Sequence, residues 1–357
     1  VKLKKYKTMK KTLLFSIIIF VIAVISNACH KKSEAIMPEQ PISFERPSNF
    51  PAPLYDLSRN PVNKAGFELG RALFYDGILS RDGTISCGSC HQQPSAFTQH
   101  GHDLSHGIDD QLTLRNSLPI MNLAWKPLFF WDGGVFDLDL FAIAPIEAHN
   151  EMDNTVSNVL TKLRSTQKYP KMFEKAFGTT EITSDRFLKA LSQFQLMCIS
   201  SNSKYDKIMR NEGESFTPDE LAGKNIFEQK CATCHEGVFF TNNQFINNGL
   251  PIGNPNDTGR ERITWQVEDK FKFRVPSLRN VEVSHPYMHD GRFRTLQAVL
   301  DFYSNGVVDS PTLDSRLRQS NGNLGIPLTA TEKTQLIAFL KTLTDNTYLT
   351  DPKLAEQ

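Results

Sequence analysis

Between residues 150 and 345 the apolar positions recur at helical spacing. Val156, Val159, Leu160 and Leu163 fall at i, i+3, i+4 and i+7, which predicts an amphipathic helix. Leu188, Leu191, Phe194 and Cys198 mark another. Thr217-Pro218-Asp219-Glu220 reads as a helix start, with Thr217 as cap and Pro218 at the first helical position. From Thr329 to Lys341 the residues Leu336, Ile337, Phe339 and Leu340 face one side, and this is expected to be the last helix, opened by Thr331-Glu332. Strand-like alternation is scarce, with Phe271-Lys272-Phe273-Arg274-Val275 as its best example. The expected fold is therefore mainly α. Residues 30–60 show little periodicity and carry Pro38, Pro41, Pro47, Pro51 and Pro53, so they read as an extended linker.

The start of the chain has a different pattern. Leu13 to Ile25 is an apolar run of 13 residues behind Met9-Lys10-Lys11. A membrane-spanning helix needs about 20 residues, whereas the apolar part of a signal peptide needs about 7–15 behind a positive start. The run ends in Ser26-Asn27-Ala28-Cys29. A small residue before a lone cysteine is similar to a bacterial lipoprotein cleavage and lipidation site, although Ser26 stands where a leucine is usual. Residues 1–29 are thus expected to be a lipoprotein-type signal peptide. Cys29 would carry a lipid anchor, with acyl chains and no spanning helix holding the chain to the membrane. The mature protein would lie outside the cytoplasm, in the periplasm of a Gram-negative cell envelope.

A length of 357 residues allows about two or three domains. Lys+Arg 40 against Asp+Glu 39 leaves a net charge of +1, which argues against a nucleic-acid partner, since such a surface needs basic excess. The cysteines change the picture further. Cys87-Gly88-Ser89-Cys90-His91 and Cys231-Ala232-Thr233-Cys234-His235 are two copies of C-x-x-C-H. Two thiols on one helical turn reach the two vinyl groups of a single porphyrin, and the following histidine is placed under its iron. Zinc would need further close Cys or His ligands, and thioredoxin-like motifs lack the trailing histidine. The chemistry implied is two covalent c-type hemes, held by Cys87, Cys90, Cys231 and Cys234 with His91 and His235 as iron ligands. Cys198 remains, on an apolar stripe, and reads as a structural buried thiol. A weak repeat, Gly70-Arg71-Ala72-Leu73-Phe74 and Gly223-Lys224-Asn225-Ile226-Phe227, precedes each motif. It predicts two similar, cytochrome c-like heme domains packed against each other, at 61–210 and 211–350.

Further segments carry a resemblance. They are Leu69-Gly70-Arg71-Ala72-Leu73-Phe74-Tyr75-Asp76, the run from Leu79 to Cys87, Arg115-Asn116-Ser117, Phe130-Trp131-Asp132-Gly133, Pro145-Ile146-Glu147 and Tyr287-Met288-His289-Asp290-Gly291-Arg292-Phe293. Together they are similar to the bacterial di-heme cytochrome c peroxidases and their MauG-type relatives, from about Pro61 to about Leu343. The resemblance implies reduction of hydrogen peroxide to water with electrons from a small c-type cytochrome or a cupredoxin, an oxidoreductase activity. The N-terminal, peroxidatic heme would meet peroxide and the C-terminal, electron-transfer heme would take in electrons.

The same resemblance assigns roles. His106 would be a distal histidine that blocks the peroxidatic iron at rest, with His100 and His102 as rivals. Glu151, with Glu147 as rival, would be the acid/base carboxylate that moves the peroxide protons. Trp131 would lie between the hemes. Asn116, Ser284 and Pro286 would offer oxygen atoms to a Ca2+ ion, a hard cation that suits such donors. Tyr303 stands where the classical peroxidases have a methionine, so it is the first expectation for the sixth ligand of the C-terminal heme, with Met288 second. Family members are often dimers, so a homodimer is an expectation of the resemblance alone. Two other functions compete: a MauG-like oxidase acting on a protein or organic substrate, and a non-enzymatic electron carrier.

Overall fold

A computed structural model describes residues 42–254 and 256–357. The signal segment 1–29, its Cys29 and the linker up to residue 41 lie outside the described residues. The helices, in chain order, are α1 (Lys64–Phe74), α2 (Cys87–Cys90), α3 (Ile143–Glu147), α4 (Val156–Ser165), α5 (Lys168–Phe177), α6 (Ser184–Leu196), α7 (Lys204–Met209) and α8 (Pro218–Lys230). They continue with α9 (Glu261–Thr264), α10 (Leu296–Asp301), α11 (Ala330–Lys341) and α12 (Asn346–Thr350). The sheet is minimal: β1 (Phe245–Ile246) pairs antiparallel with β2 (Phe273–Arg274). Among the described residues, no helix is long and apolar enough to cross a membrane.

The helix starts are written in capping chemistry. Thr217 caps α8 and exchanges hydrogen bonds with Glu220, with Pro218 at the first helical position. Thr329, not Thr331, caps α11, again reciprocally with Glu332. Val159, Leu160 and Leu163 form the buried face of α4. Cys198 is buried just beyond the end of α6, and its thiol donates to the Phe194 carbonyl at 3.5 Å. The expectation that α11 is the last helix is corrected, because α12 follows it. Asp345 caps that helix and is 1 % exposed. Its carboxylate also accepts from the backbone N–H of Ser201 and Asn202, both at 2.8 Å. A five-residue helix with so few apolar positions has no periodic signature to detect.

The repeat seen in the sequence is a repeated helix crossing. α1 crosses α6 at Gly70, where an added β-carbon would collide with the Ala190 carbonyl and stand 3.0 Å from Phe194 Cβ. α8 crosses α11 at Gly223, where it would collide with the Gln335 carbonyl and stand 3.0 Å from Phe339 Cβ. One turn later in each pair a phenylalanine meets a phenylalanine: Phe74 with Phe194 at 4.8 Å and Phe227 with Phe339 at 5.2 Å between ring centres. Close backbone approach is the reason for glycine at both points.

Two main apolar cores result. One gathers α1, α4, α5 and α6 with Phe50, Phe97 and Trp125, and it also takes in Tyr348, Leu349 and Leu354. The other gathers Phe227, Phe240, Val281, Leu300, Leu336, Phe339, Leu340 and Leu343. Residues 42–60 contain no helix or strand, yet they are packed. Phe50 is 2 % exposed, edge-on to Trp125 at 5.1 Å and Phe239 at 4.8 Å.

Candidate functional site

Each C-x-x-C-H segment folds as a single helical turn. His91 N–H donates to the Cys87 carbonyl at 2.9 Å, and His235 N–H to the Cys231 carbonyl at 3.0 Å. The first turn is α2, capped by a reciprocal pair between Ser86 and Ser89. The second begins where α8 ends. Burial pushes the Cys87 and Cys231 thiols up to about 12 and the Cys90 thiol up to about 11.

The two histidines are oriented in the same way. His91 Nδ1 lies 2.7 Å from the Phe97 carbonyl, and His235 Nδ1 lies 3.0 Å from the Phe240 carbonyl. A carbonyl only accepts, so Nδ1 carries the proton and the Nε2 lone pair is free for a metal. Burial lowers both imidazoles, His235 to about 4, which keeps them neutral and ready to bind iron. Phe97 and Phe240 each adopt a positive φ, 58° and 52°, which turns the carbonyl toward the ring.

A cavity of about 1640 Å³, counting space open to solvent, surrounds Cys231, Cys234 and His235. A second, of about 1420 Å³, is lined by His91 and Glu151. A mostly apolar wall and a neutral imidazole carried on a turn with two thiols suit a covalently attached porphyrin in each; Cys231 and Cys234 line the first cavity, and Cys87 and Cys90 lie on the turn that ends in His91. Asn116, Leu118, Pro119, Trp131 and Arg274 line both cavities and so form the partition between them.

Trp131 is 9 % exposed in that partition, and its indole N–H donates to the Asn116 carbonyl at 2.8 Å. Asn116 N–H in turn donates to the His289 carbonyl at 2.8 Å. The His289 ring stacks on Phe273 at 3.7 Å and meets Trp131 edge-on at 6.5 Å. Burial drives His289 down to about 4. Arg115 locks this region from both sides. It donates to Asp132 at 2.7 Å and grips Asp257 at 2.8 and 2.6 Å.

In the cavity of His91, burial raises the Glu151 carboxyl above the usual range. Glu147, its rival, is exposed at the end of α3 and does not line the cavity. Asp132 also faces this space, but Arg115 neutralises it. Among the described residues, His91 is the one imidazole in the lining, which contains no methionine. His106 stands outside that lining. Its side chain is 39 % exposed and its Nδ1 pairs with Asp110 at 2.6 Å. His102 packs on His106 at 4.9 Å, and His100 Nε2 meets His285 Nε2 at 3.0 Å.

In the cavity of His235, Tyr303 and Met288 are both present. Asn248 brings them together: its amide lies 3.4 Å from the Tyr303 hydroxyl and 3.6 Å from Met288 Sδ. Tyr303 sits in a π-helical turn, Phe302–Gly306, that extends α10. Such turns re-aim single side chains at functional sites. Burial pushes its phenol up to about 12. Asn116, Ser284 and Pro286 also line this cavity. The Asn116 amide nitrogen donates to the Asp103 carbonyl at 3.0 Å. Among the described residues no group of three or more His, Cys, Asp or Glu could hold a metal ion, so a cation there would depend on neutral oxygen donors. Asn248, Arg274, Lys126 and the Arg115 network were not singled out from the sequence. Arg115 and Asp132 lie in recognisable segments, but their pairing is visible only in three dimensions.

The chain matches the family model described as di-haem cytochrome c peroxidase over residues 64–214. It is 33% identical over 303 residues to the methylamine utilization protein MauG of Methylorubrum extorquens, covering 84% of this chain and 83% of that protein. It is also 33% identical over 293 residues to the cytochrome c551 peroxidase of Nitrosomonas europaea, covering 80% and 81%. A solved MauG-like protein associated with microbial copper homeostasis superposes with a TM-score of 0.77 at 32% identity, over 88% of this chain and 99% of that one. The two motif-bearing cavities fit the two c-type hemes that such a family implies. With matching sequence, matching fold and a twice-repeated thiol–imidazole turn, this chain belongs to the di-haem cytochrome c peroxidase family.

Proposed function

We propose that the protein is a peroxidase that reduces hydrogen peroxide to water at the cavity of His91, drawing two electrons through the cavity of His235 from a small c-type cytochrome or similar carrier. One contrast carries this reading. Among the described residues, the lining of the first of these cavities offers His91 and no second imidazole or methionine that could hold an iron, whereas the other offers both Tyr303 and Met288 beside His235. The bound hemes supply the redox-active irons on which peroxide is reduced.

The chain's own groups handle the rest. Glu151 takes the first peroxide proton and returns a proton to the departing oxygen. Its raised carboxyl can hold a proton nearer neutral pH than an exposed glutamate can. Phe97 and Phe240 fix the imidazoles through Nδ1. Trp131 fills the partition with a π-system. A Ca2+ ion held by Asn116, Ser284 and Pro286 belongs to this reading, as do a periplasmic location and a lipid anchor at Cys29.

The test is peroxide-dependent oxidation of a reduced c-type cytochrome by the matured protein. Glu151→Gln should lose at least ~100-fold in turnover, the usual scale of acid/base catalysis, and keep both hemes. Unchanged turnover would reject the assignment. One observation favours a second reading, MauG-type oxidation of another substrate: Tyr303 occupies the cavity of His235. That reading requires peroxide to react with the fully oxidised protein without prior reduction.

A further inference from the structure

Among the described residues, Arg279 and Arg274 are buried and Arg115 is largely so, and two of these three guanidinium groups have carboxylate partners. Arg279 is paired with Asp206, and Arg115 with Asp132 and Asp257. Arg274 is the exception. It is 3 % exposed, and no carboxylate among the described residues contacts it. Its Nε donates to the Phe130 carbonyl at 3.1 Å and one terminal nitrogen to Asn243 Oδ1 at 3.4 Å. Its other terminal nitrogen has no acceptor among the described residues. Lys126 shares the lining of the cavity of His91 with it. Its ammonium has no hydrogen bond or ion pair among the described residues. Withdrawing a guanidinium from water without an anion is costly, and half-buried Lys126 adds a second cation to the same lining.

The backbone holds this arrangement in place. β2 carries Arg274, whose backbone N–H donates to the Trp131 carbonyl at 2.7 Å, so the residue is anchored in the partition and lines both cavities. Every heme carries two carboxylate side groups. A guanidinium fork binds a carboxylate in two-pronged fashion, and its positive charge is what a lysine at the same place would keep.

We infer that Arg274 and Lys126 form the cationic seat for the carboxylates of the porphyrins, with Arg274 serving both cofactors and Lys126 only the one above His91. This rests on the two-heme reading. A cation beside a heme favours the reduced iron, which carries one positive charge fewer. A single arginine between two hemes therefore raises both potentials and ties each to the other's carboxylates. Arg274 is a positioning residue, since it acts through the cofactor side groups.

The experiment uses the full, matured protein and reads heme content by pyridine hemochrome and the midpoint of each heme by spectroelectrochemistry. Wild type should contain two hemes; fewer would sink the two-heme reading and this inference with it. Arg274→Gln should lower both midpoints, and Lys126→Gln only that of the heme held by His91. Arg274→Lys keeps the charge and should leave both midpoints near wild type. If Arg274→Gln does not retain heme, the lysine variant and Lys126→Gln still decide. The inference fails, with the two-heme reading intact, if Arg274→Gln moves neither midpoint or only one. It also fails if Arg274→Lys lowers both midpoints, or if Lys126→Gln moves both equally or neither.

Discussion

Replacing Asp206 with asparagine should be the most damaging single-atom change away from the cavities. Asp206 and Arg279 are 0 % and 1 % exposed, joined by two bonds of 2.8 Å. Asp206 also accepts from the Ser203 hydroxyl at 2.7 Å and from Asn49 at 2.9 Å, while the Arg279 guanidinium covers the Phe50 ring at 4.8 Å. The pair therefore joins α7, the loop that carries Arg279 and the packed stretch near residue 50. The neutral amide of the Asp206→Asn variant would leave a guanidinium buried without a counter-charge. Breaking one partner of such a pair costs about 3–5 kcal/mol, a large share of the ~5–15 kcal/mol that holds a typical protein together.

Acid supplies an internal control. Burial works to raise the Asp206 carboxyl, but the Arg279 bonds and charge outweigh it and hold the group below the usual range. Its stabilisation is present above the unfolded value of about 3.9 and is lost as pH falls through the folded value. Guanidinium titrations followed by circular dichroism should show the full gap between wild type and Asp206→Asn at pH 7, narrowing below about pH 4. The double variant Asp206→Asn/Arg279→Met should cost less than the single one. A gap under ~1 kcal/mol at pH 7, or one that does not narrow in acid, would refute this reasoning.

Three further expectations concern the crossings and the cavities. Gly223→Ala should destabilise by at least ~1–3 kcal/mol through overpacking, read as a lower melting temperature, because the Gln335 carbonyl occupies the space of the new methyl. Tyr303→Phe should alter the absorption spectrum of the His235-ligated heme while Met288→Leu leaves it unchanged; the reverse result would assign the iron to Met288. Glu151→Gln should be at least as stable as wild type at pH 7. A buried carboxyl with a raised folded value destabilises the fold once pH exceeds its unfolded value, so equilibrium unfolding at pH 5 and pH 8 should show the variant gaining with pH.

What could be read along the chain was local. Thr217 and Pro218 announced α8, the i, i+3, i+4 spacing announced α4, and the two C-x-x-C-H turns announced the cavities, because each signal lies within a few residues of its effect. The choice of Glu151 over Glu147 as a cavity residue depends on where the chain bends after α3, and burial alone separates them. The packing of Phe50, the Asn248 bridge and the placement of Arg274 depend on partners distant along the chain. No local pattern carries that information. The carbonyls of Phe97 and Phe240 were equally silent, since any residue type has one. α12 leaves no local trace because five residues are too few to show a helical period.

The stretch from 345 to 354 has a consequence for how the molecule is made. Tyr348 packs on Phe97 at 5.6 Å, the residue whose carbonyl orients His91, and its hydroxyl bonds to Ile120. Leu354 offers its carbonyl to the Tyr75 hydroxyl at 2.8 Å, and Gln93 reaches the Tyr348 carbonyl at 3.0 Å. A ribosome delivers the first half long before these residues exist. The core beside His91 is therefore complete only with residues 348–354 in place, although the helices that build it come from the first half of the chain.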